Sequence, residues 1–177
     1  LLYSDVDKQT AYLRVGSAGD GRLDLGEAII VADMGGPRMA YISNLAIAPD
    51  GVPWILIRSY RDTPTGVENH MWLTGPTDAS LQTWTDPVRL TTDRDATAST
   101  FGTSGSLAFA GEDLVVVYNL ADEIRSLAGD RTDPRGLLRA RVGSFRGTHD
   151  YIINAAGDTV HLAYHAADPK GEMMTYQ

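Results

Sequence analysis

A chain of 177 residues, 43% hydrophobic and 21% charged, has the composition of a folded domain with one sizeable core rather than of a disordered segment. Its formal charge of −8 and pI near 4.8 leave no basic stripe for nucleic acid and disfavour an anionic membrane surface. No apolar run approaches the roughly eighteen residues of a membrane helix, the first residues show no signal core, and the absence of cysteine excludes disulfides and thiolate ligands.

In chain order, residues 10–15 alternate as a strand, 17–21 (Ser-Ala-Gly-Asp-Gly) signal a turn, and 28–31 give another short strand. Residues 41–47 read as the first strand of the clearest unit. Pro49-Asp50-Gly51 turns the chain, 54–59 supply a second strand and 70–74 a third, with Trp84 and Val88 near the outer edge. A further unit has strands at 107–110 and 114–118, then a long insertion before 137–142. Within that insertion 120–128 carry a short helical pattern ended by Gly129, Asp130 and Pro134. The last unit has strands at 150–154 and 159–165.

One construction recurs, a short turn followed by an apolar strand: Ala48 to Ile57, Ala110 to Tyr118 and Ala156 to Tyr164. Hairpins at this spacing predict an all-β chain, a β-propeller of four-stranded antiparallel blades. The approximate units are 1–36, 37–92, 100–147 and 148–177. Leu13-Arg14-Val15-Gly16-Ser17 and Ala140-Arg141-Val142-Gly143-Ser144 echo one another and are expected at the third-strand position of different blades. Roughly three to four blades fall short of a closed propeller, so further blades or another copy are expected to complete it.

These units resemble the sialidase-like, BNR-repeat superfamily. Its Asp-box, Ser-x-Asp-x-Gly-x-x-Trp between third and fourth strands, is approximated by Thr77 to Thr85, with Asp78 as the aspartate and Trp84 one residue late. The stretch from His149 to His165 is similar to the His-containing blade of BNR-type proteins that include polysaccharide lyases. The resemblance implies a propeller that acts on a glycan, secreted or periplasmic. Lyases of this kind use His or Tyr as base, Tyr as acid, and Arg or His on the substrate carboxylate.

The candidate site residues follow from the local pattern. Arg58, Tyr60 and Arg61 follow the best-defined strand, while Asn69 and His70 open its hairpin partner, so the two groups should approach one another. Arg58 or Arg61 offers a planar donor fork for a sugar carboxylate, Tyr60 an acid and His70 a base. Tyr118 and Asn119 occupy the matching place in the next unit, with Asp122 and Glu123 as carboxyls, and His149 precedes a first strand. His161 and His165 share one strand face, where they are structural, glycan-contacting or metal-binding. Trp54, Trp72 and Trp84 are either inter-sheet core or sugar platforms.

No cofactor is expected. Asp20, Asp24, Asp122, Asp130 and Asp133 offer loop oxygens suited to a structural Ca²⁺ but lack EF-hand spacing. The leading expectation is β-elimination on a uronic-acid polysaccharide, with Arg58, Tyr60, His70 and His149 as catalytic residues. The alternatives are a sialidase-like hydrolase, for which Arg58, Arg125 and Arg141 are the candidate carboxylate-binding arginines, and a non-catalytic glycan- or protein-binding propeller.

Overall fold

The structure, a computed structural model, describes residues 1–5, 7, 9–35, 39–64, 66–92, 105–120, 123–144, 151–167 and 173–176. Among these residues all regular structure is strand. Sheet 1 is β1 (Leu2–Asp5), β2 (Thr10–Leu13) and β5 (Ile29–Asp33), with a separate hairpin of β3 (Gly16–Gly19) and β4 (Arg22–Leu25) inserted in the chain before β5. Sheet 2 runs β6 (Met39–Ile47), β7 (Pro53–Thr63), β8 (Gly66–Thr74) and β9 (Val88–Arg89). Sheet 3 runs β10 (Gly105–Ala110), β11 (Asp113–Leu120), β12 (Glu123–Asp130) and β13 (Leu138–Ser144). Sheet 4 runs β14 (Tyr151–Ala156), β15 (Thr159–Ala167) and β16 (Met173–Tyr176). Neighbouring strands in each sheet are antiparallel, and no sheet closes on itself.

The three recurrent turns join the first and second strands of sheets 2, 3 and 4. Gly51 and Gly111 hold φ of 83° and 57° there, a conformation glycine adopts without a Cβ penalty. These hairpins gather at one end of the molecule. The Gly111 amide donates to the Gly157 carbonyl at 2.9 Å. Arg131, in the turn between β12 and β13, pairs with Asp50 of the β6–β7 turn and lies 5.8 Å from the centre of the Phe109 ring. The last residues of β7 and β11 and the first of β8 and β12 therefore form the opposite end.

Apolar layers join the sheets in chain order. Ala11, Leu13 and Val31 of sheet 1 meet Ile55 and Ile57 of sheet 2. The other face of sheet 2, with Leu56, Met71 and Leu73, meets Leu107, Leu114 and Val116 of sheet 3. The second face of sheet 3, with Ala108, Val117 and Ile124, meets Ile153 of sheet 4. Sheets 2 and 3 are thus buried on both faces, which explains the unbroken apolar runs at 54–57 and 114–117.

The first strands, β1, β6, β10 and β14, pack on one another in sequence. Ser106, 2% exposed on β10, ties three of them together: its hydroxyl oxygen accepts from Asn44 Nδ2 at 3.1 Å and from the Ile153 amide at 3.3 Å. A bulge between Ile42 and Asn44 interrupts the β6 register beside this contact. Ser106→Ala strands both donors and is expected to cost about 1–3 kcal/mol, read as a lower urea midpoint at unchanged slope; an unchanged midpoint would contradict this role.

Between the third and fourth strands of sheet 2, the 77–85 turn is built around Asp78. Its carboxylate accepts from the Ser80 amide at 2.8 Å and from Thr83 Oγ1 at 3.3 Å. Trp84 donates Nε1–H to the Leu81 carbonyl at 2.9 Å and packs on the sheet 1–sheet 2 core. Hydrogen bonds from the Ser80 hydroxyl and amide hold the Asp78 carboxyl below its ordinary value. A depressed folded-state pKa means that this contribution is present above the unfolded value and lost as pH falls through the folded one. Trp84 fluorescence is therefore expected to hold steady down to the ordinary aspartate range and to change only below it. Asp78→Ala is expected to abolish that acid step.

Two sequence expectations are corrected. Residues 120–128, read as a short helix, contribute β12 from Glu123 onward. The i, i+3 spacing of Ile124 and Leu127 mimics a helix, yet Leu127 faces sheet 2 and Ile124 faces sheet 4. A strand buried on both faces loses the alternation that identifies strands. The repeated Arg-Val-Gly-Ser segments are not equivalent: Arg141 to Ser144 belongs to the fourth strand of sheet 3, whereas Arg14 to Ser17 passes from β2 into the β3–β4 hairpin.

Candidate functional site

Strand alternation sorts the residues at the end opposite the hairpins. Along β7, Leu56, Arg58 and Tyr60 share one face, and their partners across the ladder are Leu73, Met71 and Asn69. Leu56, Met71 and Leu73 belong to the core shared with sheet 3. Arg58, Tyr60 and Asn69 therefore continue the same seam as it turns from apolar to polar. Arg58 and Tyr60 are half-buried, and Asn69 is 1% exposed. Neither Asn69 Nδ2 nor Oδ1 has a hydrogen-bond partner among the described residues.

Sheet 3 supplies the opposite wall. Tyr118, fully buried, shares its face with Leu114 and Val116 and pairs with Gly105. A Cβ at Gly105 would lie 2.3 Å from Met71 Cε and 2.8 Å from Leu56 Cδ2. The two sheets thus approach closely at the layer where apolar gives way to polar. Tyr118 also pairs with Arg125, and Arg125 with Arg141. Two arginines opposite one another repel unless an anion intervenes, and Glu123 supplies it. Glu123 Oε2 accepts from Arg125 Nε at 3.0 Å and Nη2 at 2.8 Å, and Oε1 lies 3.4 Å from Arg141 Nε. These guanidinium groups, the Arg125 hydrogen bond first, lower the Glu123 pKa. The trio carries one net positive charge at neutral pH.

His70 lies on the other face of sheet 2. It pairs across the ladder with Ser59, one residue out of phase with Arg58 and Tyr60. Its ring is 1% exposed, with Nδ1 3.0 Å from Thr91 Oγ1 and Nε2 2.9 Å from Glu68 Oε1. The Thr91 oxygen also accepts from the Met71 amide at 3.1 Å. A neutral ring protonated on Nε2 satisfies the set: Thr91 O–H donates to Nδ1, and Nε2–H donates to Glu68. Trp72 closes the group, edge-on to His70 and donating Nε1–H to Ser59 Oγ at 2.8 Å. The sequence brought Arg58, Tyr60 and His70 together; the period of two separates His70 from the others by the thickness of the sheet. Asn119 is likewise on the face of sheet 3 turned away from Tyr118, buried toward sheet 4.

The remaining candidates are scattered. His161 is exposed on β15 opposite Asn154. Arg61 and His165 lie within β7 and β15, but their side chains, like His149 and Asp122, fall outside the described residues. Trp54, Trp72 and Trp84 are half-buried and pack on inter-sheet cores. Asp130 Oδ1 accepts from the amide and hydroxyl of Thr132, both at 2.7 Å, and caps the β12–β13 turn. Among the described residues no group of three or more His, Asp or Glu side chains is placed to hold a metal ion. Glu123, Arg125 and Arg141 were each candidates in the sequence, as a carboxyl and two carboxylate-binding arginines, but their pairing with one another was not legible because residues 123–130 did not read as a strand.

The seam between sheets 2 and 3 therefore offers, at one end, a guanidinium, two phenols, a buried amide and a second, Glu-braced pair of guanidinium groups. Such a set suits an extended ligand rich in hydroxyl and carboxylate oxygens. No protein-family model, curated protein or solved structure matches the chain.

Proposed function

We propose that the chain is part of a sialidase-like β-propeller that acts on a uronic-acid polysaccharide, bound at the polar end of the seam between sheets 2 and 3. The observation that carries the reading is the gathering of Arg58, Tyr60 and Asn69 from one sheet with Tyr118 and Arg125 from the next. The propeller reading is supported by small antiparallel sheets stacked through their first strands and by the Asp78–Trp84 turn between third and fourth strands. Further blades, or another copy, would complete the ring.

In this reading Arg58 binds the sugar carboxylate and stabilises the enediolate that forms when the neighbouring carbon loses its proton. The base is then the other histidine the sequence put forward, His149, which lies outside the described residues, since both ring nitrogens of His70 are engaged on the far face of the sheet. The electron pair forms a C=C bond as the glycosidic C–O bond breaks, and Tyr60 protonates the departing oxygen. His70 then has a positioning role, bracing the middle of β8. A purely binding role is the second reading, favoured by the absence of His70 from the Arg58 face.

Incubation with neutral and uronic-acid polysaccharides, following ultraviolet absorbance and reducing ends together, tests this. Absorbance rising with new ends on uronic-acid polymers alone is the expected result. Ends without absorbance would replace elimination by hydrolysis, and retention on immobilised polymer without either signal would leave binding.

A further inference from the structure

Among the described residues Asn69 is the one side chain whose donor and acceptor atoms are both buried without a partner, where Gln9, Trp54 and Arg131 each leave a single such atom. Ser106, Thr74, Thr91 and His70 all have partners, whereas both polar atoms of the Asn69 amide are buried with none among the described residues. A buried amide without partners has left water for nothing, and proteins keep few of them. An apolar residue of similar size would suit a position flanked by Met71 on its own strand face, yet asparagine stands there. Its cross-strand partner Tyr60 is half-buried, so solvent reaches to within one side-chain layer of the amide.

We infer that Asn69 is a specificity-determining residue whose buried amide takes its hydrogen bonds from sugar hydroxyls when the polar end of the seam parts around the polysaccharide. This deepens the preceding reading and rests on it. An amide supplies one acceptor and two donors from a rigid plane, a match for two neighbouring hydroxyls on a pyranose ring. A ligand lacking one of them leaves the amide unpaired in the complex as well, which is the strongest form of rejection open to a hydrogen-bonding site. Packed within the seam the position favours an apolar side chain, and in the complex it favours asparagine. Stability and recognition therefore pull in opposite directions at this residue.

The test is Asn69→Leu in the full chain, with two readouts. Without ligand, the melting temperature is expected to rise by about 2–4 °C, the shift that roughly 1 kcal/mol produces in a chain of this size. With polygalacturonate as the probe, affinity by isothermal calorimetry is expected to fall about 10-fold or more, the equivalent of one lost hydrogen-bonding partner. Asn69→Thr, closer in volume, is the second variant should leucine not be accommodated; it is expected to lose affinity without a fall in melting temperature. A lower melting temperature for both variants would overturn the inference, because the amide would then be holding the fold together. Unchanged affinity in a variant that folds would overturn it while leaving the polysaccharide reading intact. If the wild-type chain binds no uronic-acid polymer, the polysaccharide reading fails and the recognition role falls with it, whatever the melting temperatures show.

Discussion

Leu56→Ala is expected to lower the stability of the chain by about 2–5 kcal/mol, the range for deleting a fully buried leucine side chain that its surroundings cannot collapse upon. Leu56 is 0% exposed, at the centre of the layer between sheets 2 and 3. Its Cδ2 atom would lie 2.8 Å from a Cβ at Gly105, so the opposite backbone already sits against it. The antiparallel ladders of both sheets resist closing further, and the cavity should persist. Chemical denaturation reads the loss directly. A cost below about 1 kcal/mol would mean that the two sheets are not held by this layer. Since a domain of ordinary stability has about 5–15 kcal/mol in hand, this single substitution is expected to bring the chain close to its limit.

Arg58→Ala is expected to weaken binding of a uronic-acid polymer by roughly 10- to 150-fold, the equivalent of about 1.5–3 kcal/mol for hydrogen bonds to a charged group. Arg58→Lys should recover only part of that, because an ammonium keeps the charge without the planar fork. His70→Gln provides the contrast. Its side chain faces the sheet 1 side, so its effect is expected on the melting temperature and only indirectly on affinity. Equal losses of affinity from Arg58→Ala and His70→Gln, with both proteins folded, would contradict the assignment of the two residues to opposite faces.

The hairpins were legible in the sequence because turn chemistry is local. Pro49-Asp50-Gly51 and Ala156-Gly157-Asp158 announce themselves through residues that suit reversed or left-handed backbone, and the apolar runs after them mark the second strands. The third strand of sheet 3 was not legible. Ile124 and Leu127 serve different cores, so their spacing follows neither a clean period of two nor the demands of a helix. The separation of His70 from Arg58 and Tyr60 was a matter of register. A hairpin places Asn69 and His70 equally near the end of β7, and only the pairing of Tyr60 with Asn69 and of Ser59 with His70 decides which of the two joins the seam. The clustering of polar residues at one end could be read from chain order. Asn69's lack of partners could not, since it depends on what two sheets distant in sequence place around it.

Hydrogen–deuterium exchange of the chain with and without polygalacturonate locates the ligand without presupposing a reaction, and so asks whether it sits at the polar end of the seam between sheets 2 and 3. Added protection is expected in peptides covering 58–60, 67–71 and 118–125, with the β6–β7 and β10–β11 turns at the other end unchanged. Protection confined to those turns, or to the exposed face of sheet 4 around His161, would contradict it.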